Sequence, residues 1–153
     1  MKDEAINMKD DKGALRLENQ LCFRLYSASK EVVRRYKPYL DPLGLTYTQY
    51  IAMMALWEEG SVSVKELGAR LRLESSTLTP LLKKLESAGY VVRERSKEDE
   101  RVVVVSLTDE GRKLHDDAMS VPTCMVDSLH VDPQLGVKLA ALLDDFLEQV
   151  DAG

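Results

Sequence analysis

Aromatic residues make up only 6% of the 153 positions, and 8 glycines with 5 prolines are too few for a collagen-like or low-complexity chain. No apolar run approaches the roughly 18 residues needed to cross a bilayer. The opening MKDEAINMKDDKGALRLENQ lacks the apolar stretch of a secretory signal. The expectation is a cytoplasmic protein with no membrane partner. Two cysteines, Cys22 and Cys124, are too few and too far apart for a disulfide framework or a zinc knuckle. A metal-sensing set of Cys22, Cys124, His115 and His130 has no common zinc-ligand spacing, so neither a metal nor another cofactor is expected.

What is present is 44% hydrophobic and 31% charged residues, enough to build one globular domain over residues 1–153. The net charge of −5 argues weakly against nucleic acid, but it is unevenly spread. Residues 61–108 carry 9 basic and 7 acidic side chains, whereas residues 109–153 carry 3 and 10. The middle of the chain is therefore the segment suited to a polyanion.

Residues 1–13 read as a loose polar arm. From Leu15 an apolar stripe through Leu17, Leu21, Leu25, Val32, Val33 and Tyr36 predicts a long helix ending at Lys37-Pro38. Thr46 caps a helix running through Trp57 to a stop at Gly60. Ser63 caps VKELGARL, and Glu74-Ser75-Ser76 opens TLTPLLKKLESAG, which Gly89 ends. YVVRERS and RVVVVSL, joined by KEDE, read as a hairpin. Thr108 starts a helix that runs toward Pro122 or beyond, and Asp132-Pro133 opens the last one, with Leu135, Leu139, Leu142, Leu143, Phe146 and Val150 on a stripe.

That order predicts a mainly α fold with a small β-hairpin wing: a winged helix-turn-helix at about 46–108, flanked by dimerisation helices at about 14–37 and 109–150. The flanking helices carry more apolar surface than one small lobe can cover, so a two-fold homodimer is expected. In such a fold the first residues of the second helix reach base edges of double-stranded DNA. Here they are Ser75, Ser76, Thr77 and Thr79, followed by Lys83 and Lys84. The serines read equally well as simple helix caps. The hairpin tip offers Arg93, Arg95, Asp99 and Arg101; an arginine there can enter a narrow minor groove, with Asp99 orienting Arg101.

The run DERVVVVSLTDEG, with Asp99, Arg101, Leu107, Thr108 and Gly111, resembles the wing signature of the multiple-antibiotic-resistance regulator (MarR) family. The likeness extends through LGARLRLESSTLTPLLKKLESAGYVVRERS. It implies a homodimeric repressor on a pseudo-palindromic operator. The segment LENQLCFRLYSASKEVVRRYKPYLDPLGLTYTQY is similar to the organic-hydroperoxide resistance regulators (OhrR), a thiol-sensing branch. There the cysteine matching Cys22 reacts with an organic hydroperoxide, and tyrosines matching Tyr36 and Tyr47 hydrogen-bond to it across the dimer. Tyr26, one turn from Cys22, is a further pocket candidate. The resemblance also implies that Cys124 can resolve an oxidised Cys22 as an intersubunit disulfide.

The residues alone leave Cys22 and Cys124 open to inert packing. Two rival functions stand beside the sensor: a MarR-type repressor released by a small phenolic or drug-like ligand, and a thiol peroxidase. The second lacks any thioredoxin-like βαβ pattern, so no enzyme is expected.

Overall fold

The computed structural model describes residues 13–153. The arm read at residues 1–13 lies, apart from Gly13, outside them. A 3-10 turn, Leu17–Asn19, leads into α1 (Leu21–Leu40), and a second turn, Asp41–Leu43, leads into α2 (Tyr47–Glu59). Then follow β1 (Ser61–Ser63), α3 (Val64–Leu71), α4 (Ser75–Ser87), β2 (Val91–Arg95), β3 (Val103–Leu107), α5 (Asp109–Ala118), α6 (Val121–Leu129) and α7 (Pro133–Ala152).

The caps explain most of these boundaries. Thr46 and Ser63 each accept from a backbone N–H three residues on, and Gln49 and Glu66 reach back to complete capping boxes. Thr108 accepts from the Gly111 N–H at the start of α5. Gly89, at φ +83°, reverses the chain after α4 into β2. Leu56, Leu67, Leu78, Leu82 and Leu85 fill the core with Tyr50, Met53, Val91 and Val105, all essentially buried. This core holds α4 and the sheet on the same lobe.

Four features depart from the sequence reading. Helix α1 begins at Leu21, because the Asn19 amide donates to the Gly13 carbonyl and the Gln20 amide to the Arg16 carbonyl, tying that stretch into a turn. It also runs past Pro38 to Leu40: one backbone bond is lost, but Tyr36 and Tyr39 pack on the core and Leu40 is buried within it. The hairpin gains β1, giving an antiparallel sheet ordered β1-β3-β2 with Val62 opposite Val105. Finally, the helix after Thr108 is two helices. Pro122 has no N–H for the Ala118 carbonyl, so α6 starts afresh and Cys124 lies inside it.

Helix α1 packs against α6, where the Arg35 guanidinium donates to the Ser128 carbonyl at 2.7 Å. Trp57, on α2, donates its indole N–H to the Gly111 carbonyl of α5 at 2.8 Å. No residue of α7 is buried, and Leu135, Val137, Leu142 and Val150 on it are more than half exposed. No helix among the described residues is long and apolar enough to cross a membrane.

Candidate DNA interface and thiol site

Helix α4 presents its first turn to solvent. Its N-cap is Glu74, with no side-chain cap bond, so the Ser75 and Ser76 hydroxyls are not used as caps. Ser75, Ser76, Thr77 and Thr79 are all exposed while Leu78, Leu81, Leu82 and Leu85 face the core. Pro80, inside this helix, contributes no N–H to the Ser76 carbonyl. Lys83 and Lys84 are exposed one turn further on.

The wing stands beside this helix. Ser96 N–H donates to the Val102 carbonyl and Val102 N–H to the Asp99 carbonyl, closing the tip. Asp99 accepts from the Arg101 backbone N–H at 3.0 Å, from its Nε at 3.1 Å and from its Nη2 at 3.2 Å. These bonds, the side-chain one first, hold the Asp99 carboxyl below its usual range. The Arg101 side chain is otherwise 90% exposed, so a fixed guanidinium projects from the tip. Arg95 donates to the Glu100 carbonyl at 2.7 Å. Arg93 is half-buried and turned back onto Glu86 of α4, with Nη2 at 2.7 Å from its carboxylate. The Arg93 guanidinium, and its backbone N–H, hold the Glu86 carboxyl low.

Between α3, the start of α4 and the wing lies a groove of about 780 Å³. Ser75, Thr79 and Arg101 line it together with Lys65, an exposed cation of α3 that the sequence reading passed over. Glu86 was passed over too. Its signal was an acid and a base seven positions apart across the turn made by Gly89.

The thiol site is dispersed. Cys22 is exposed on α1, and Cys124 is half-buried on α6; both are free. Tyr26 is 58% exposed with the Lys30 ammonium 5.3 Å from its ring centroid. Tyr36 and Tyr47, from α1 and α2, meet with ring centroids 4.9 Å apart, and Tyr50 lies 5.8 Å from Tyr36. Burial, then the neighbouring Tyr47 and Tyr50, push the Tyr36 hydroxyl above its usual range, keeping it a protonated donor. Tyr47 also lines a cleft of about 260 Å³ with Val33, Arg34, Lys37, Leu40 and Leu45. Among the described residues no group of three or more His, Cys, Asp or Glu could hold a metal ion.

Residues 34–118 match the family described as transcriptional regulator SarA/Rot. The chain is 50% identical over 108 residues to the organic hydroperoxide resistance transcriptional regulator of Bacillus subtilis, covering 71% of this chain and 74% of that one. Among solved structures it resembles AbfR of Staphylococcus epidermidis. The reduced, DNA-bound form is 33% identical over 92% of this chain and 99% of that one, with a TM-score of 0.74. The disulfide form of AbfR is 35% identical over 89% and 96%, with a TM-score of 0.62.

Proposed function

Because the chain belongs to the MarR-type winged-helix transcription regulators, in their organic-hydroperoxide-resistance branch, we propose that it is a homodimeric DNA-binding repressor that organic hydroperoxides release through Cys22. The exposed faces of α1 and α7 supply the dimer contact, and each lobe sets α4 in a major groove of the operator with its wing beside it. Ser75, Ser76, Thr77 and Thr79 reach base edges, Lys83, Lys84 and Arg95 neutralise phosphates, and Arg101, oriented by Asp99, enters the minor groove.

The observation that carries the sensing role is the Tyr36–Tyr47 pair, two phenols with ring centroids 4.9 Å apart, the Tyr36 hydroxyl pushed above its usual range by burial. Phenol hydroxyls donate to a thiolate and add no competing nucleophile. The Cys22 thiolate attacks the terminal oxygen of the hydroperoxide; the O–O bond breaks, an S–O bond forms, and the alkoxide leaves as an alcohol after taking a proton. Cys22 is then a sulfenic acid. The Cys124 thiolate of the second protomer attacks its sulfur, an S–S bond forms and water departs. Bridging requires the Cα atoms to come within about 7 Å, so α6 and α7 move and turn the DNA-binding lobes out of register.

Non-reducing electrophoresis before and after stoichiometric organic hydroperoxide, with DNA binding followed in parallel, tests this reading. A covalent dimer that forms as DNA is released, and that thiol reductant reverses, is expected. Cys124→Ser abolishes the crosslink while Cys22 is still oxidised. Release of the Cys22→Ser protein by hydroperoxide sinks the assignment, and unchanged binding with monomeric chain points instead to a ligand-released repressor.

A further inference from the structure

Three hydrogen bonds run from Arg93 to one carboxylate. Its backbone N–H donates to Glu86 Oε1 at 3.1 Å, and its Nε and Nη2 donate to Oε2 at 3.2 and 2.7 Å. Arg93 lies on β2, the first strand of the wing, and Glu86 on the last turn of α4. The pair therefore bridges the two elements that must enter adjacent grooves together. It is also among the more sheltered ion pairs of the molecule, with side chains 23% and 37% exposed. Two guanidinium donors converge on one oxygen while the backbone N–H takes the other, so the contact fixes direction as well as distance.

Resting on the DNA-binding reading, we propose that Arg93 is a positioning residue: with Glu86 it sets the angle between wing and recognition helix, and it does not itself contact phosphate. The other wing cations differ from it. Arg101 is nearly fully exposed and its partner Asp99 lies on the same tip, while Arg95 pairs only with a carbonyl of that tip. Neither joins the wing to α4. The Glu86–Arg93 clamp is thus a side-chain tie from the first strand of the wing to the recognition helix, across the turn at Gly89, whose φ is +83°. It also accounts for one of the 7 acidic side chains of residues 61–108, where Coulomb repulsion from DNA would otherwise only weaken binding.

The test uses full-length dimer and a duplex of about 30 base pairs that the wild-type protein selects from a randomised pool, long enough for two half-sites. Glu86→Ala removes a negative charge from the DNA-facing lobe, yet it is expected to weaken binding about tenfold, the scale of coupling lost between residues in direct contact. Arg93→Ala is expected to match it, and the double variant to be no worse than either single. The salt dependence of Arg93→Ala stays that of wild type, because no counterion release is lost. Arg93→Lys, which retains the charge and stem, also weakens binding and covers the case in which Arg93→Ala does not fold. Tighter or unchanged binding by Glu86→Ala, full affinity in Arg93→Lys, or a salt slope shallower by about 0.9 in Arg93→Ala overturns the proposal. Failure of the wild type to select any duplex overturns the DNA-binding reading and the clamp with it.

Discussion

Cys22 and Tyr36 lie on the same helix about four turns apart, roughly 21 Å of rise, so they cannot touch within one protomer. For Tyr36 to assist this thiol, it must come from a second copy of the chain. A mixed dimer distinguishes the two cases. Pairing a Cys22→Ser protomer with a Tyr36→Phe, Tyr47→Phe protomer leaves one complete site if the site is shared between subunits, and none if it is not. Rapid oxidation at half the wild-type stoichiometry, read by mass spectrometry of Cys22, is the expected result.

Gly111 leaves no room for a side chain. A Cβ there would fall well inside contact distance of the Tyr90 carbonyl oxygen and 3.2 Å from Leu107 Cδ2. Backbone, unlike the end of a flexible side chain, cannot swing aside. Gly111→Ala should destabilise the protein by roughly 2–4 kcal/mol in urea unfolding, and it should weaken DNA binding by displacing the base of the wing. Wild-type stability would disprove that close approach.

Arg101→Ala should weaken operator binding, most for operators with narrow A/T-rich flanks. Asp99→Asn should lose part of the same selectivity while keeping the cation, since the carboxylate only aims the guanidinium. Uniform loss across all flanks in Arg101→Ala would make the wing a phosphate contact alone.

Glu31 bears on acid stability. Bonds from Arg34 and then Arg35 lower its carboxyl from 4.5 to about 2, and Arg35 also donates to the Ser128 carbonyl of α6. A carboxyl depressed in the folded state stabilises while ionised, with its full contribution above 4.5 and progressive loss as pH falls toward about 2. The difference in urea midpoint between wild type and Glu31→Gln should therefore be level above pH 4.5 and shrink below it. A difference that grows with acidity would refute this.

The features legible in the sequence are the local ones. Thr46, Ser63 and Thr108 mark helix starts because each bonds a backbone N–H three residues away. Asp99 and Arg101 read as a pair because they are two residues apart. The third strand was not legible: Ser61-Val62-Ser63 is extended only because it finds Val104-Val105-Ser106, more than forty residues on. Pro38 is a stop by local rules, which the packing around Leu40 overrides. At the site, the serines of α4 were ambiguous between cap and contact until Glu74 proved to occupy the cap position. The clamp from Arg93 to Glu86 joins a helix to a strand across a turn, and no periodicity within either element reveals it.

Trp57 is the only tryptophan in the chain, and its indole N–H is bonded to Gly111, the residue pressed against the wing base. The His115 ring meets it edge-on at 5.4 Å, and Tyr50 at 6.5 Å links it toward Tyr36. An indole's emission energy follows its hydrogen bonding and the polarity around it. The protein thus carries an unlabelled optical reporter at the joint between α2 and α5, in which a rearrangement of the lobe can be timed by fluorescence without attaching a dye to either cysteine.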